Sequence, residues 1–432
     1  MGLKVVVIGG GSTYTPELID GLTRRAERLP IDELVLHDID AERLAVVGGL
    51  AHRMLRRAGW SGRLLQTTDR EAAIDGADFV LVQLRIGGQA ARLVDETLPL
   101  SFGTIGQETT GAGGFAKALR TIPVVLDLAD LTRRRATASA WMIDFTNPVG
   151  MVTQALLDAG QRAIGLCNVA ITIQRDTARR LGVEPQQVDL EQVGLNHLSW
   201  VRHLRVDGVD RLPELLASHG NEIAQEMDLP AEAFHRLGAI PSYYLRYYYS
   251  FAEVLARQRS GHSRAEEVAD IERRLLEMYR DPTLDVKPAL LDDRGGAFYS
   301  EVAAQLLASL HDGRGDVQVV DVRNNGSLPG LPDDDVVEIP ARIDRDGAHP
   351  LPQAAMPDEM RDLVVAVKRY ERLTVKAARS GDRGEALAAL AANPLVGPYT
   401  DPEPLLDALL EANRRFLPAF FREPAPGLTA AD

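Results

Sequence analysis

The chain has 432 residues, 45% of them hydrophobic, and a formal net charge of −14. That length suits two domains around a full hydrophobic core. Acids and bases are mixed along it without a basic tract, so nucleic acid and anionic membrane are excluded as expected partners. One cysteine rules out an internal disulfide framework, and no apolar run reaches the roughly 20 residues of a membrane-spanning helix. The chain opens on a strand-like run rather than a secretory signal, so a cytoplasmic protein is expected.

In chain order, KVVVIGG is a β-branched run of the kind buried on both faces of a sheet. TPELIDGLTRRAERL has helical spacing, ELVLHDI is the next strand, AERLAVVGGLAHRMLRRAG a helix and DFVLVQLRIGG a further strand. IPVVLDLADLTRRRA leads as a helix into SAWMIDFTNP, and MVTQALLDAG leads as a helix into AIGLCNV. Strands separated by helices of this length imply right-handed crossovers. They predict a Rossmann-type, doubly wound parallel sheet of the α/β class over residues 1–195. After residue 195 the pattern changes: LSWVRHLRVDG reads as an antiparallel strand, and helical stretches run from about 213 to 312. VQVVDVRNNG and DDVVEIPARI read as strands, and the end is helical. This predicts an α+β domain over 196–422 that closes on the carboxyl edge of the sheet, and a disordered tail over 423–432.

GGGSTYTPEL lies between the first strand and the first helix. Gly9 and Gly11 form a G-x-G at the strand end, followed by Ser12 and Thr13, where close backbone approach and helix amides suit a pyrophosphate. The usual third glycine falls at Tyr14, so the full fingerprint is not met. Asp38, in LVLHDID at the end of the second strand, is placed to accept from an adenine ribose, with Asp40 as second choice; an acid there favours NAD.

Three polar breaks fall at predicted strand ends: Arg85 in QLRIGG, Asn147 in DFTNPVG, and Cys167-Asn168 in GLCNVAI. A lone buried cysteine is most often a small hydrophobe. At this edge, with His197 of GLNHLSW beyond it, the same thiol and imidazole could hold a transition metal. IPSYYLRYYYS packs five tyrosines into residues 240–250 of a chain only 5% aromatic. Most serve packing; one beside a metal-activated carbonyl could act as general base if its pKa is lowered.

GGGSTYTPEL, LHDID, IGQETTGAGGFAKALRTIP, FTNPVG, GLCNVAI, GLNHLSW and PSYYLRYYY together resemble glycoside hydrolase family 4, as do the later SRAEEV, RGGAFYSE, RNNGSLPGLP and VVEIP. AVKRYERLTV and LLEANRRF extend the resemblance almost to the end. It implies a lactate/malate dehydrogenase-like architecture and glycoside hydrolysis with NAD+ and a divalent metal, usually Mn2+, without the two-carboxylate apparatus of most glycosidases. In such chemistry NAD+ takes hydride from C3 of the sugar, a base removes the C2 proton and the aglycone leaves from C1. Water then adds and hydride returns. By the same resemblance Cys167 and His197 are metal ligands and Tyr244 is the C2 base, with its neighbour Tyr243 as rival. The Cys-Asn-Val sequence resembles the 6-phospho-β-glucosidase subgroup, with a phosphorylated disaccharide or aryl 6-phospho-β-glucoside as substrate. Arg92 and Arg264 match arginines lining the sugar site, with Arg264 the better phosphate partner and Arg85 and Arg294 as helpers. Asn147 and Asn168 are expected at sugar hydroxyls, and Gln107, Glu108 and Thr109 around the site. Family members are commonly homodimers or homotetramers.

Two departures stand out: Ala170 where the family has proline after Cys-Asn-Val, and Tyr243 where proline is common. Other readings remain open here: a different sugar specificity, an NAD-dependent sugar or hydroxy-acid dehydrogenase, and a non-catalytic NAD-binding regulator. The dehydrogenase lacks an evident His-Asp or Lys relay. Retention of thiol, imidazole and tyrosine together argues against the regulator.

Overall fold

In the computed structural model, which describes residues 2–296 and 298–421, the β-branched runs form the middle of a nine-stranded sheet among the described residues. Strand β1 (Leu3–Ile8) pairs in parallel with β2 (Ile31–His37) on one side and with a later strand, Phe79–Val82, on the other. β3 (Arg63–Thr67) lies outside β2; the Phe79–Val82 strand is β4, followed by β5 (Trp141–Asp144) and β6 (Ala163–Gly165). The parallel order β3-β2-β1-β4-β5-β6 reverses direction between β1 and β4. Doubly wound sheets bind their ligands in the crevice at that switch.

Burial accounts for the sequence of these strands. Val5, Val6 and Val7 are fully buried and Ile8 nearly so; each such side chain contributes about 1.5–3 kcal/mol. The pattern does not predict β3, because RLLQT is an edge strand with exposed positions on both faces. The helix expected from Ile122 begins at Gly111 and runs to Arg135 through Pro123. Its first turns, rich in glycine, hide the apolar periodicity.

The second sheet is an antiparallel hairpin, β7 (Val188–Leu195) and β8 (Leu198–Val206), with β9 (Val209–Asp210) and β10 (Ile240–Pro241) both paired to β8. β11 (Asp316–Arg323), β12 (Val336–Asp344) and β13 (Gly347–Pro350) instead extend the first sheet, β11 pairing antiparallel with β6 through Asp321 and Gly165. The division expected at residue 195 therefore falls beside the two-residue turn of the β7–β8 hairpin, and the two halves of the chain share one sheet. The main core is likewise continuous, from Val5 and Leu81 to Leu306, Val320 and Leu406. Residues 422–432, including the expected tail, lie outside the described residues. No helix among the described residues is long and apolar enough to cross a membrane.

One buried ion pair ties the Gly111–Arg135 helix to its neighbour Gly88–Ser101. Arg120, with its side chain 1% exposed, faces the fully buried Asp95, Nη1 donating to Oδ1 at 2.8 Å. Arg120 also donates to Ile86 O at 3.0 Å and to Asn413 Oδ1 at 3.2 Å. Burial raises Asp95 to about 6 against the pull of Arg120. Removing one partner of such a pair strands the other. Arg120→Leu should therefore cost about 3–5 kcal/mol in urea unfolding at pH 7.5, and a loss below about 1 kcal/mol would show that the pair holds nothing together.

Candidate active site

The loop after β1 folds across the end of β2, because the Gly9 and Gly10 N–H groups both donate to His37 O, at 2.9 and 2.7 Å. Gly9 has φ +91°, and a Cβ there would lie 2.6 Å from Gln83 O, so a side chain is excluded twice over. At Gly11 a Cβ would meet Asp38 Oδ2 at 2.8 Å; the Gly11 N–H donates to that oxygen at 2.9 Å. Asp38 thus braces the loop, and its other oxygen accepts from Asp40 N–H at 3.1 Å. Asp40 caps the Ala41–Arg57 helix. Ser12 opens into a cavity of about 880 Å³ that runs from this loop to the tyrosine cluster. Thr13 lies beneath the loop, fully buried, with its carbonyl accepting from the Tyr279 hydroxyl at 2.7 Å.

Cys167 lies two residues past the end of β6 and is 2% exposed. His197 sits in the turn between the paired residues Leu195 and Leu198, with φ +62°. A histidine in the left-handed region is uncommon and points to a constraint beyond the turn itself. Glu338 on β12 accepts the His197 backbone N–H, and Gln192 donates to Glu338 at 3.1 Å and to Ser199 Oγ at 3.1 Å. The second sheet thus delivers the imidazole to the carboxyl edge of the first.

There two tyrosines meet the pair. The Tyr244 ring stacks on His197 with centroids 3.7 Å apart and planes 14° from parallel. The Tyr299 hydroxyl faces Cys167 Sγ at 3.9 Å. Burial lowers His197 to about 3, with Lys117 adding to the effect, so the ring is neutral and can donate a lone pair. Its Nδ1 is buried without a partner, as is Asn147 Oδ1 in the second of the three polar breaks. Burial pushes the Cys167 thiol up, helped by the Glu338 carboxylate. Burial likewise raises the Tyr244 phenol well above its ordinary value, and negative charge at Cys167 adds to the rise. A coordinated cation inverts this local logic, since it deprotonates a ligating thiol and favours a nearby phenolate. Among the described residues no cluster of three or more His, Cys, Asp or Glu is arranged around a metal, so thiol and imidazole supply at most a partial shell.

The cavity wall is rich in cations: Arg85, Arg92, Lys117, Arg259, Arg264 and Arg294. Glu108 organises three of them. It pairs with Arg85, takes Lys117 Nζ at 2.6 Å and lies 3.3 Å from Arg92 Nε. Burial alone would raise this carboxyl, but the charges of Arg85, Lys117 and Arg92 outweigh it and hold Glu108 well below the usual range. Burial lowers Lys117 to about 7. Arg92 also donates to Glu96 at 2.7 Å and is nearly buried. Arg264 opens the Arg264–Tyr279 helix behind a Ser263–Glu266 capping box. It donates to Asp293 O at 2.6 Å and Glu267 at 2.8 Å, with its side chain 45% exposed. Glu272 joins the two ends of the cavity: it binds Arg294 at 2.9 Å and Arg43 at 3.2 Å, and Arg43 Nε donates to Gly11 O at 3.0 Å.

Asn147 and Asn168 both line the cavity, Asn168 as the residue that opens the Val169–Leu181 helix. Ala170 falls in the first turn of that helix, where proline and alanine are both tolerated, so this departure leaves the turn intact. Tyr243 is 46% exposed on the cavity wall. Sequence reasoning placed Glu108 near the site and did not single out Lys117, Tyr14 or Tyr299. Lys117 carried a signal: with Arg120 it is a cation inside the otherwise small and apolar run GAGGFAKALRT.

A sequence model of the family 4 glycosyl hydrolases matches residues 4–183, and one of the family's C-terminal domain matches 192–396. A probable 6-phospho-β-glucosidase of Bacillus subtilis is 41% identical over 98% of this chain and 99% of its own. The solved 6-phospho-β-glucosidase of Thermotoga maritima with manganese, NAD+ and glucose-6-phosphate superposes with a TM-score of 0.90 at 36% identity, covering 96% of this chain and 99% of that one. Malate dehydrogenase of Plasmodium falciparum, at 14% identity and a TM-score of 0.54 over 87% of this chain and 98% of its own, shares the fold, as the expected architecture requires. With both family regions matched and a relative this similar along its whole length, the chain belongs to family 4 of the glycosyl hydrolases.

Proposed function

We propose that this chain hydrolyses 6-phospho-β-glucosides with NAD+ and a divalent cation, Mn2+, as cofactors, the substrates being phosphorylated disaccharides or aryl glycosides. The observation that carries the reading is the stack of Tyr244 on His197 beside Cys167, at one end of a cation-lined cavity whose other end is the Gly9–Ser12 loop. The unpartnered His197 Nδ1 and Asn147 Oδ1 fit a cation and sugar hydroxyls at that end.

When bound, NAD+ supplies reversible oxidation at sugar C3, and the metal supplies a fixed positive charge beside the carbonyl so formed. Gly9, Gly11 and Ser12 would receive the pyrophosphate with Thr13 supporting the loop from beneath, and Asp38, which braces the loop through the Gly11 N–H, would accept from the ribose. Cys167 as thiolate and neutral His197 hold the cation. Tyr244 removes the proton from C2, whose acidity the oxidised C3 raises, onto its hydroxyl oxygen, where it exchanges with solvent before reprotonation. The C1–O bond then breaks and the aglycone leaves with the bonding pair. Water adds its hydroxyl at C1 and its proton ends on the aglycone oxygen, Tyr244 returns a proton to C2, and C3 regains the hydride it gave up. Asn147 and Asn168 orient sugar hydroxyls, while Arg92 and Arg264 supply positive charge for the 6-phosphate. Work in the cytoplasm and assembly as a homodimer or homotetramer belong to the same reading; sedimentation should return two or four times the chain mass.

With p-nitrophenyl 6-phospho-β-glucoside, catalytic NAD+, Mn2+ and thiol in D2O, the released sugar phosphate should carry deuterium at C2. Nitrophenol release that consumes NAD+ stoichiometrically, or a product with only protium at C2, would overturn the mechanism. Tyr244→Phe should slow C2 exchange by about 100-fold or more while NAD+ still binds; unchanged exchange would move the base to Tyr243. The unphosphorylated glycoside should turn over at least about 100-fold more slowly in kcat/KM, since charge-assisted bonds to the phosphate would be lost. Iodoacetamide should alkylate native metal-free Cys167 at least about tenfold more slowly than the urea-unfolded chain, read by mass spectrometry. Equal rates would contradict its burial.

A further inference from the structure

A second cavity of about 300 Å³ adjoins the first and shares two of its wall residues, Asn168 and Tyr243. It lies between the Val169–Leu181 helix and the Leu212–Glu226 helix, with β10 behind it. One side is apolar, from Val169, Ile173, Ile223, Met227 and Ile240; the other carries Thr172, Asp176, Thr177, Arg180 and Glu226. None of the residues that face the nucleotide loop reaches it, and nothing in the catalytic steps uses it.

Charge decides what this space can hold. The main cavity has a surplus of cations, whereas the single arginine of the second is engaged by two acids, with Arg180 bonding Glu222 at 2.8 Å and Glu226 at 2.6 Å. Asp176 is matched by Arg179 at 2.9 Å. A phosphate would find no unneutralised cation here, so a phosphorylated sugar has one place in the molecule and its neutral leaving group has another. The position agrees. C1, from which the leaving group departs, is bonded to C2, and the groups proposed to act at C2 lie beside Cys167; Asn168, the next residue, lines both spaces.

Tyr243 also lines both, as a flat aromatic wall. It is 46% exposed, and the Arg246 guanidinium covers one face of its ring at 3.3 Å. Arg246 is itself fixed, donating to Tyr243 O at 3.1 Å and to Glu226 O at 3.2 Å. An exposed ring held rigid from behind is a stacking platform for a planar or pyranose ring at little entropic cost. At this position the chain departs from the proline that the resemblance led one to expect. We infer that the 300 Å³ cavity and Tyr243 form the leaving-group subsite, which accepts an uncharged aromatic or sugar ring and rejects a phosphorylated one. This rests on the hydrolase reading above.

The test compares substrates that share the 6-phospho-β-glucosyl group and differ in aglycone: methyl, p-nitrophenyl and an unphosphorylated glucose. Met227→Trp fills the cavity from a half-buried position. It should lower kcat/KM for the nitrophenyl and disaccharide substrates by tenfold or more while changing the methyl glycoside by less than about twofold. Tyr243→Leu should show the same preference for the small aglycone, and Tyr243→Phe should restore the wild-type ratio, since stacking needs the ring and not the hydroxyl. Binding of glucose 6-phosphate, measured by calorimetry, should match wild type in Met227→Trp. A parallel fall for all three substrates, or no change in their ratios, would overturn the subsite and leave the hydrolase reading standing. A wild-type enzyme inactive on every 6-phospho-β-glucoside would overturn both.

Discussion

The register of the parallel strands is the constraint on which the site depends. Ile8 pairs with Val82, Val82 with Asp144, and Asp144 with Gly165, so the residues that follow leave the sheet along one line. Gly9, Gln83, Phe145 and Leu166 begin that line, and the glycine loop, Asn147 and Cys167 follow from it. A slip of one residue in any pair would turn a strand's side chains to the opposite face. The chain's β-branched runs, fully buried, make such slips costly. The catalytic end therefore needs no special folding device of its own on this side.

His197 is the part that register alone does not deliver. It comes from a separate antiparallel hairpin, whose turn bends the histidine into a left-handed conformation and whose strand leans on β12 through Gln192 and Glu338. The imidazole is neutral and partly unsatisfied, and a thiol and two phenols face the same place. Each of those groups is disfavoured in its charged form by burial. Such a cluster is poised for a cation, because one positive charge offsets several desolvation costs at once. Next to this cluster the balance is reversed: Glu108 sits among three cations and keeps them mutually tolerable.

What the sequence made legible follows from what is local in physics. β1 and β2 announced themselves through apolar runs with β-branched residues, β5 as a short apolar run before a polar break, and the loop glycines and Asp38 by their places at strand ends. The resemblance pointed to Tyr244 and to Cys167 with His197, which spacing alone left open. β3 was hidden because an edge strand has no long apolar run, and the start of the Gly111–Arg135 helix because glycines blur its periodicity. The return of β11 to the first sheet was illegible for another reason: strand pattern reports burial, not the partner. Lys117 and Tyr299 were missed because what they do depends on tertiary neighbours, Glu108 on the loop before the helix for Lys117 and the sequence-distant Cys167 for Tyr299.

The late return of β11 bears on how the protein is made. At about 5–20 residues per second, roughly 8–30 s separate synthesis of β6 from that of its partner. Throughout that interval the edge beside Cys167 is an open template for another chain. β6 is only three residues long, and a template so short offers little for a neighbouring nascent polypeptide to grip.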